Sequence, residues 1–225
     1  MQWEVSNRPS YSLLKVKLNE GEEIVAEPGA MVMMRGDIAV DTGMKGNLLS
    51  SLLRSVFGGE ALFLNSFIAR TEAEVWLAPA APGDIHYLPL SRNGYILQDT
   101  AYLAHHGDVS LDVAWRGFRG WLTEGELVWL RVRGQGGVWV TAFGGIEQVE
   151  IKAGETAIVD NFHFVAMEEG ANYKVRTFGG LKSFLLGGEG LVAEIYGPAR
   201  LWLQTRHIAS LANELLPILR QHMQK

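Results

Sequence analysis

Gly59-Glu60-Ala61-Leu62-Phe63-Leu64, Gly125-Glu126-Leu127-Val128-Trp129-Leu130 and Gly188-Glu189-Gly190-Leu191-Val192-Ala193 are three versions of one phrase. Each leads into an apolar stretch centred on a tryptophan: Val75-Trp76-Leu77, Val138-Trp139-Val140 and Leu201-Trp202-Leu203. The glutamates recur at positions 60, 126 and 189, a nearly constant interval. Recurrence at such an interval marks a chain built from internal structural copies. Along the middle copy Val128, Leu130 and Val132 fall on one face of a strand, and Leu127, Trp129, Arg131 and Arg133 on the other. Leu62 and Leu64 match that inner face in the first copy, and Leu191, Ala193 and Ile195 in the third. The tryptophan stretches are apolar at consecutive positions, as strands buried on both faces are. Trp76, Trp139 and Trp202 are therefore expected to be equivalent core residues.

A second phrase precedes each of these. Leu14, Val16 and Leu18 alternate with Lys15 and Lys17, which is the pattern of a half-buried strand. A turn at Asn19-Glu20-Gly21 leads to a strand over 23–26, a break at Glu27-Pro28-Gly29, and a short apolar strand over 30–34. The same succession returns over 86–104, with Gly94 and Asp99, and over 148–167, with Gly154 and Asp160. Glycine at a hairpin turn supplies positive φ without steric cost. An acid beside a break caps backbone N–H groups, the structural role expected of Glu27, Asp99 and Asp160.

Between the two phrases each copy carries a variable segment. In the first, Leu48, Leu49, Leu52, Leu53, Val56 and Phe57 make one stripe of a short helix between Asn47 and Gly58. Those six residues are the candidate partner or membrane contact, the alternative being a lid over the sheets. After Thr205 the pattern changes to that of an amphipathic helix, with Ile208, Leu211, Ala212, Leu215 and Leu219 on one side and Pro217 as a kink or second start. Such a terminal helix covers a sheet edge or packs against another subunit.

The 225 residues, 26 of them glycine and 7 proline, suit short strands joined by tight turns. The absence of cysteine excludes disulfides, thiolate metal sites and a cysteine nucleophile. A formal charge of −5 with no basic run argues against nucleic acid as a partner. No signal peptide and no apolar run long enough to span a bilayer are apparent, so a cytoplasmic protein is expected. No hydrolase, P-loop or zincin signature occurs. Gly134-Gln135-Gly136-Gly137 has the composition of a phosphate cradle but lies inside a hairpin rather than before a helix. A cupin-type metal site needs two histidines one residue apart; His105 and His106 are adjacent and point to opposite faces, and His163 stands alone between Phe162 and Phe164. No catalytic residue, cofactor or metal is expected.

Several stretches together resemble the mitochondrial-biogenesis (altered inheritance of mitochondria) family. They are Ala26-Glu27-Pro28-Gly29-Ala30-Met31, Gly58-Gly59-Glu60-Ala61-Leu62-Phe63, Leu77-Ala78-Pro79, Pro82-Gly83-Asp84-Ile85, Tyr102-Leu103-Ala104, Gly197-Pro198 and Gln204-Thr205-Arg206. The likeness covers roughly residues 10–206, with Ala199 where the family shows a glycine. It implies units like those of the tryptophan RNA-binding attenuation protein, and no known enzyme activity. Fungal members are linked to organisation of the mitochondrial inner membrane, which points toward scaffolding.

The repeats predict an all-β protein of three repeated β-sandwich units, with short inserted helices and a C-terminal helix, and the resemblance implies that the units are short double-stranded β-helices arranged about a pseudo-threefold axis. Residues 1–206 form one domain of copies at about 11–79, 83–142 and 145–205, and 207–225 the helix. The expected function is a non-enzymatic homo-oligomeric scaffold or binding protein with a protein or membrane-surface partner; the alternative is a small-molecule site between copies.

Overall fold

The computed structural model describes residues 1–43, 64–91, 93–116, 128–178 and 191–223. The glutamates 60, 126 and 189 and the stripe Leu48, Leu49, Leu52, Leu53, Val56 and Phe57 lie outside these residues.

Alternation of apolar and charged residues produces the first ladder. Strand β2 (Leu13–Leu18) buries Leu14, Val16 and Leu18 and turns Lys17 to solvent. It pairs antiparallel with β1 (Gln2–Ser6) on one side and with β7 (Ala73–Leu77) on the other, and β4 (Met31–Arg35) completes a four-stranded sheet in the order β1-β2-β7-β4. Facing it are β3 (Glu23–Ala26), β6 (Leu64–Ala69) and β5 (Ile38–Gly43), which form one end of a ten-stranded sheet. Leu14, Val16, Ile24, Phe67, Val75, Leu77 and Trp139 fill the core between them.

The middle of the chain supplies β8 (Ile85–Leu90), β9 (Tyr95–Gln98), β10 (Tyr102–Arg116) and β11 (Val128–Thr141). Strands β10 and β11 pair over almost their whole length; β8 lies along the second half of β11 and β9 along the first. Leu88, Leu97, Val128, Leu130, Val132 and Val138 share one core, which confirms the inner face read from alternation. Trp129 points the other way and is equally buried, stacked on Phe164 with centroids 4.3 Å apart. The last stretch gives β12 (Ile146–Ile151), β13 (Thr156–Asp160), β14 (Phe164–Glu168), β15 (Asn172–Thr177), β16 (Leu191–Tyr196) and β17 (Ala199–Gln204). Here β12-β17-β14 end the ten-stranded sheet, and β13-β16-β15 form a separate sheet across a third core containing Ile151, Phe164, Ala193, Ile195 and Leu201.

Three expectations need correction. Trp139 and Trp202 are buried, but Trp76 is half-buried: its indole donates to Glu74 Oε1 at 2.8 Å and its ring lies under the Lys15 ammonium at 5.3 Å. Gly21 and Gly154 do take positive φ at their turns, but Gly94 is held by close approach instead, since a Cβ there would overlap the Val132 carbonyl. The Gly134-Gln135-Gly136-Gly137 run is no turn; it lies within β11, paired with β10. Both Gly134 and Gly136 have φ of +136°, and a side chain at either would overlap the carbonyls of Asp108 and His106. The two glycines allow the close approach of β11 to β10 that a side chain at either position would prevent.

The terminal helix, α1 (Ile208–Met223), forms as expected and contains Pro217. It covers no sheet edge among the described residues: every residue from Ser210 to Arg220 is exposed, including Leu211, Leu215 and Leu219. None of the described helices is long and apolar enough to cross a membrane.

Candidate functional sites: open strand edges and a histidine–aspartate cluster

Two joints link the three stretches of chain. At the first, β3 lies along β10 with Val25 opposite His105 and Ala26 opposite Ala104. At the second, β9 lies along β14 with Leu97 opposite Ala166, Ile96 opposite Met167 and Tyr95 opposite Glu168. The register is the same at both. Val25 and Leu97 stand two residues before the acids Glu27 and Asp99, and His105 and Ala166 stand six residues after the acids Asp99 and Asp160. The Glu27 N–H donates across the first joint to the Leu103 carbonyl at 2.9 Å. Tyr102 closes it further, its hydroxyl donating to the Val25 carbonyl at 3.3 Å and lying 2.6 Å from His105 Nδ1. His105 and His106 take opposite faces, as adjacency predicts. His105 is buried at the joint, whereas His106 stacks on Tyr87 with Nε2 2.9 Å from the phenol oxygen.

Strand β13 pairs with β16 and strand β4 with β7, and each leaves its other edge unpaired among the described residues. Exposure shows the consequence. Val25 and Leu97 are 5% and 0% exposed, whereas Ile158 on β13 is 53% exposed. Val32 on β4 is 54% exposed, and Met31 and Met34 are exposed with it, while Leu103, Ala104, Val165 and Ala166 are fully buried. Apolar strand edges of this kind are templates for further pairing.

Burial at the joints also moves carboxyl groups. It pushes the Glu27 carboxyl up to about 7 and the Asp99 carboxyl up to about 6, because desolvation disfavours the charged form. Asp84 behaves differently. Burial would raise it, but the Arg8 guanidinium at 2.8 Å through both oxygens, the Ser12 hydroxyl at 2.9 Å and the Ile85 N–H at 2.8 Å together hold it below its ordinary value.

Asp160 ends β13 and caps the short 3-10 turn Asn161–His163, accepting from the Phe162 N–H at 3.0 Å. Asn161, fully buried, anchors that turn by accepting from the Trp129 indole at 3.1 Å. His163 donates from Nδ1 to the Gln204 carbonyl at 2.7 Å. Gln204 is itself fixed, its amide donating to the Phe162 carbonyl at 2.6 Å and accepting from the Phe143 N–H at 2.8 Å. His207, just before α1, stacks on Phe162 and meets the His163 ring edge-on at 5.0 Å. Burial, and then the neighbouring His163, hold its pKa down against the pull of Asp160. The donor atoms of Asp160, His163 and His207 all lie within 4.8 Å of one another, and all three residues are half-buried. His163 is therefore not alone. Its partner lies 44 positions on in sequence, at a boundary where no strand or helix periodicity points to it.

Surface depressions are modest. One of about 190 Å³ is lined by Trp3, Lys15, Lys17 and Glu74, and another of about 310 Å³ by Met1, Glu22, Val25 and His106. Several of their charged groups are already paired: Lys15 with Glu4 at 3.0 Å, Glu74 with Arg35, and the terminal amine with Glu22.

Comparison with known proteins agrees with this architecture. A crystal structure of a protein from Streptococcus pyogenes superposes with a TM-score of 0.79 at 25% identity, over 96% of this chain and 99% of the other. An uncharacterized protein of Streptococcus pyogenes serotype M6 is 24% identical over 223 residues, which is 96% of this chain and 90% of that protein. The model of the mitochondrial biogenesis AIM24 family matches residues 3–206, the whole β portion described above, and the chain belongs to that family.

Proposed function

We propose that this protein is a non-enzymatic scaffold whose copies join head to tail, with β13 of one copy lying along the outer edge of β4 of the next. The reading takes the chain as three copies of one unit: β2–β7, β8–β11 and β12–β17. What supports it is the pairing pattern, since β2·β7, the second-half pairing of β8·β11, and β12·β17 are the same ladder, as are β3·β6, β9·β11 and β13·β16. The observation that carries the proposal is that one joint is used twice inside the chain, while its two unmatched halves, β13 and β4, have no such partner among the described residues. A closed pseudo-threefold ring would bring those halves together within one chain. Their exposure favours an open succession of units, like those of the tryptophan RNA-binding attenuation protein, that further copies extend. Continuing the register places Ile158 opposite Met33, Val159 opposite Val32 and Ala157 opposite Met34. A contact between two different surfaces is heterologous and builds rings or filaments.

The test uses size-exclusion chromatography with light scattering. The native chain is expected to run as an assembly, and Ile158→Arg and Val32→Asp each as monomers, because a buried unpaired charge on either edge blocks the joint. An equal mixture of the two variants retains one good edge of each kind and is expected to give a dimer and nothing larger. A native chain that stays monomeric at high micromolar concentration, or a mixture that does not dimerise, rules the reading out.

A further inference from the structure

We propose that Asp160, His163 and His207 form a binding site for a first-row divalent transition-metal ion, with zinc the best match, and that the bound ion clamps α1 to the β body. The site stands independently of self-association. Three features of the arrangement support it. The donor set is two imidazoles and one carboxylate, which suits zinc, cobalt or nickel and not calcium or magnesium, whose sites are built from oxygen. His163 gives its Nδ1 proton to the Gln204 carbonyl, which leaves the Nε2 lone pair free to coordinate. A carbonyl on the far nitrogen is the arrangement that orients histidine ligands in metal sites. Asp160 engages the backbone through Oδ1 at 3.0 Å, and its second oxygen accepts no hydrogen bond among the described residues.

The donors need only a small closure. Their separation of up to 4.8 Å exceeds the roughly 3.3 Å edge of a tetrahedron with bonds near 2.0–2.1 Å. Rotation of the half-buried Asp160 and His207 side chains supplies the difference, while His163 stays fixed by Gln204. His207 Nδ1 accepts from the Ser210 N–H at 3.2 Å, so the neutral ring carries its proton on Nε2. Coordination through Nε2 moves that proton to Nδ1 and releases this long cap. Three protein ligands leave a fourth position for water or for a group from a partner.

The position also separates this corner from its counterparts. The acid recurs as Glu27, Asp99 and Asp160, but the residue three positions on is Ala30, Tyr102 and then His163. The second histidine comes from the connection into α1, which the other two stretches lack. That connection is the helix's main attachment, since α1 is exposed from Ser210 to Arg220. A metal ion here would fix the direction of an otherwise free-standing amphipathic helix.

Calorimetric titration of the untagged, EDTA-stripped protein with zinc, and the visible absorption of the cobalt-loaded protein, test the site. One ion per chain with tetrahedral cobalt bands is expected. His163→Gln, His207→Gln and Asp160→Asn are each expected to weaken binding by at least about tenfold, and His106→Gln to leave it unchanged. Zinc is also expected to slow tryptic cleavage after Arg206 in the native chain and not in His207→Gln. Melting in EDTA separates a lost ligand from a lost fold, because the three variants should then match the parent. Absence of saturable binding overturns the proposal. So does binding that His163→Gln and His207→Gln retain, or that His106→Gln reduces equally, which would mark adventitious surface histidines.

Discussion

Three carboxylates with different surroundings give this protein opposing pH dependences. Glu27 has its pKa raised by burial to about 7. The folded chain then keeps a proton that the unfolded chain releases near 4.5, so this group's contribution is complete below that value and falls as pH rises toward 7. Each pH unit within the window costs about 1.4 kcal/mol, or at most about 3.5 kcal/mol in total. Glu27→Gln is expected to flatten thermal stability across this window and to raise the melting temperature above it, as calorimetry at a series of pH values will show. Asp99 has the same sign over a lower window, from its ordinary value to about 6. Asp84 has the opposite sign. Its depressed pKa contributes stability above the usual carboxylate range, and that contribution is lost as pH falls through its folded-state value. It ties β1 and β2 to the middle of the chain through Arg8, Ser12 and the Ile85 N–H. Asp84→Ala leaves the buried Ser12 hydroxyl and Ile85 N–H without their acceptor and releases the half-exposed Arg8 to solvent, and should cost about 2 kcal/mol in denaturant unfolding at neutral pH.

At the scale of elements, α1 and β4 are apolar sequences without a core to enter. The helix stripe of Leu211, Leu215 and Leu219 faces solvent. Leu215→Glu should therefore change the melting temperature of the β body by no more than about 2 °C, since surface substitutions stay within about 0.5 kcal/mol; a large drop would mean that the helix packs on the sheets. The pattern of apolar residues located both elements correctly. Leu14, Val16 and Leu18 declared their face because lysines alternate with them, and Val128, Leu130 and Val132 did the same. Met31-Val32-Met33-Met34 gave no such clue, because an apolar strand reads alike whether its partner lies in the same chain or in another. Trp76 shows the same limit, since its neighbours match those of Trp139 but its face does not. The Asp160–His163–His207 cluster was illegible for a different reason. Periodicity reports which way a side chain points along one element, and this corner is assembled from a strand end, a 3-10 turn and a connection.

Over the whole molecule, the balance of paired and unpaired edges decides how the protein behaves in solution. Each internal joint buries a strand pair whose counterpart positions are 5% exposed or less at Val25 and Leu97, and Ile158 remains 53% exposed. Burying such side chains contributes roughly 1.5–3 kcal/mol each, so the proposed head-to-tail joint would add stability to the copies it links. Association that occurs only between folded copies stabilises them by mass action. The native chain is thus expected to melt at a temperature that rises steadily with protein concentration, with the β4 and β13 strands gaining hydrogen-exchange protection over the same range. Ile158→Arg removes one edge from the equilibrium, so its melting temperature should be independent of concentration. It should also lie close to the dilute-limit value of the native chain, because the substituted side chain is exposed in the isolated copy. A native melting temperature that does not move over a hundredfold dilution would mean that each chain satisfies its edges alone, and the head-to-tail joint would have to be abandoned.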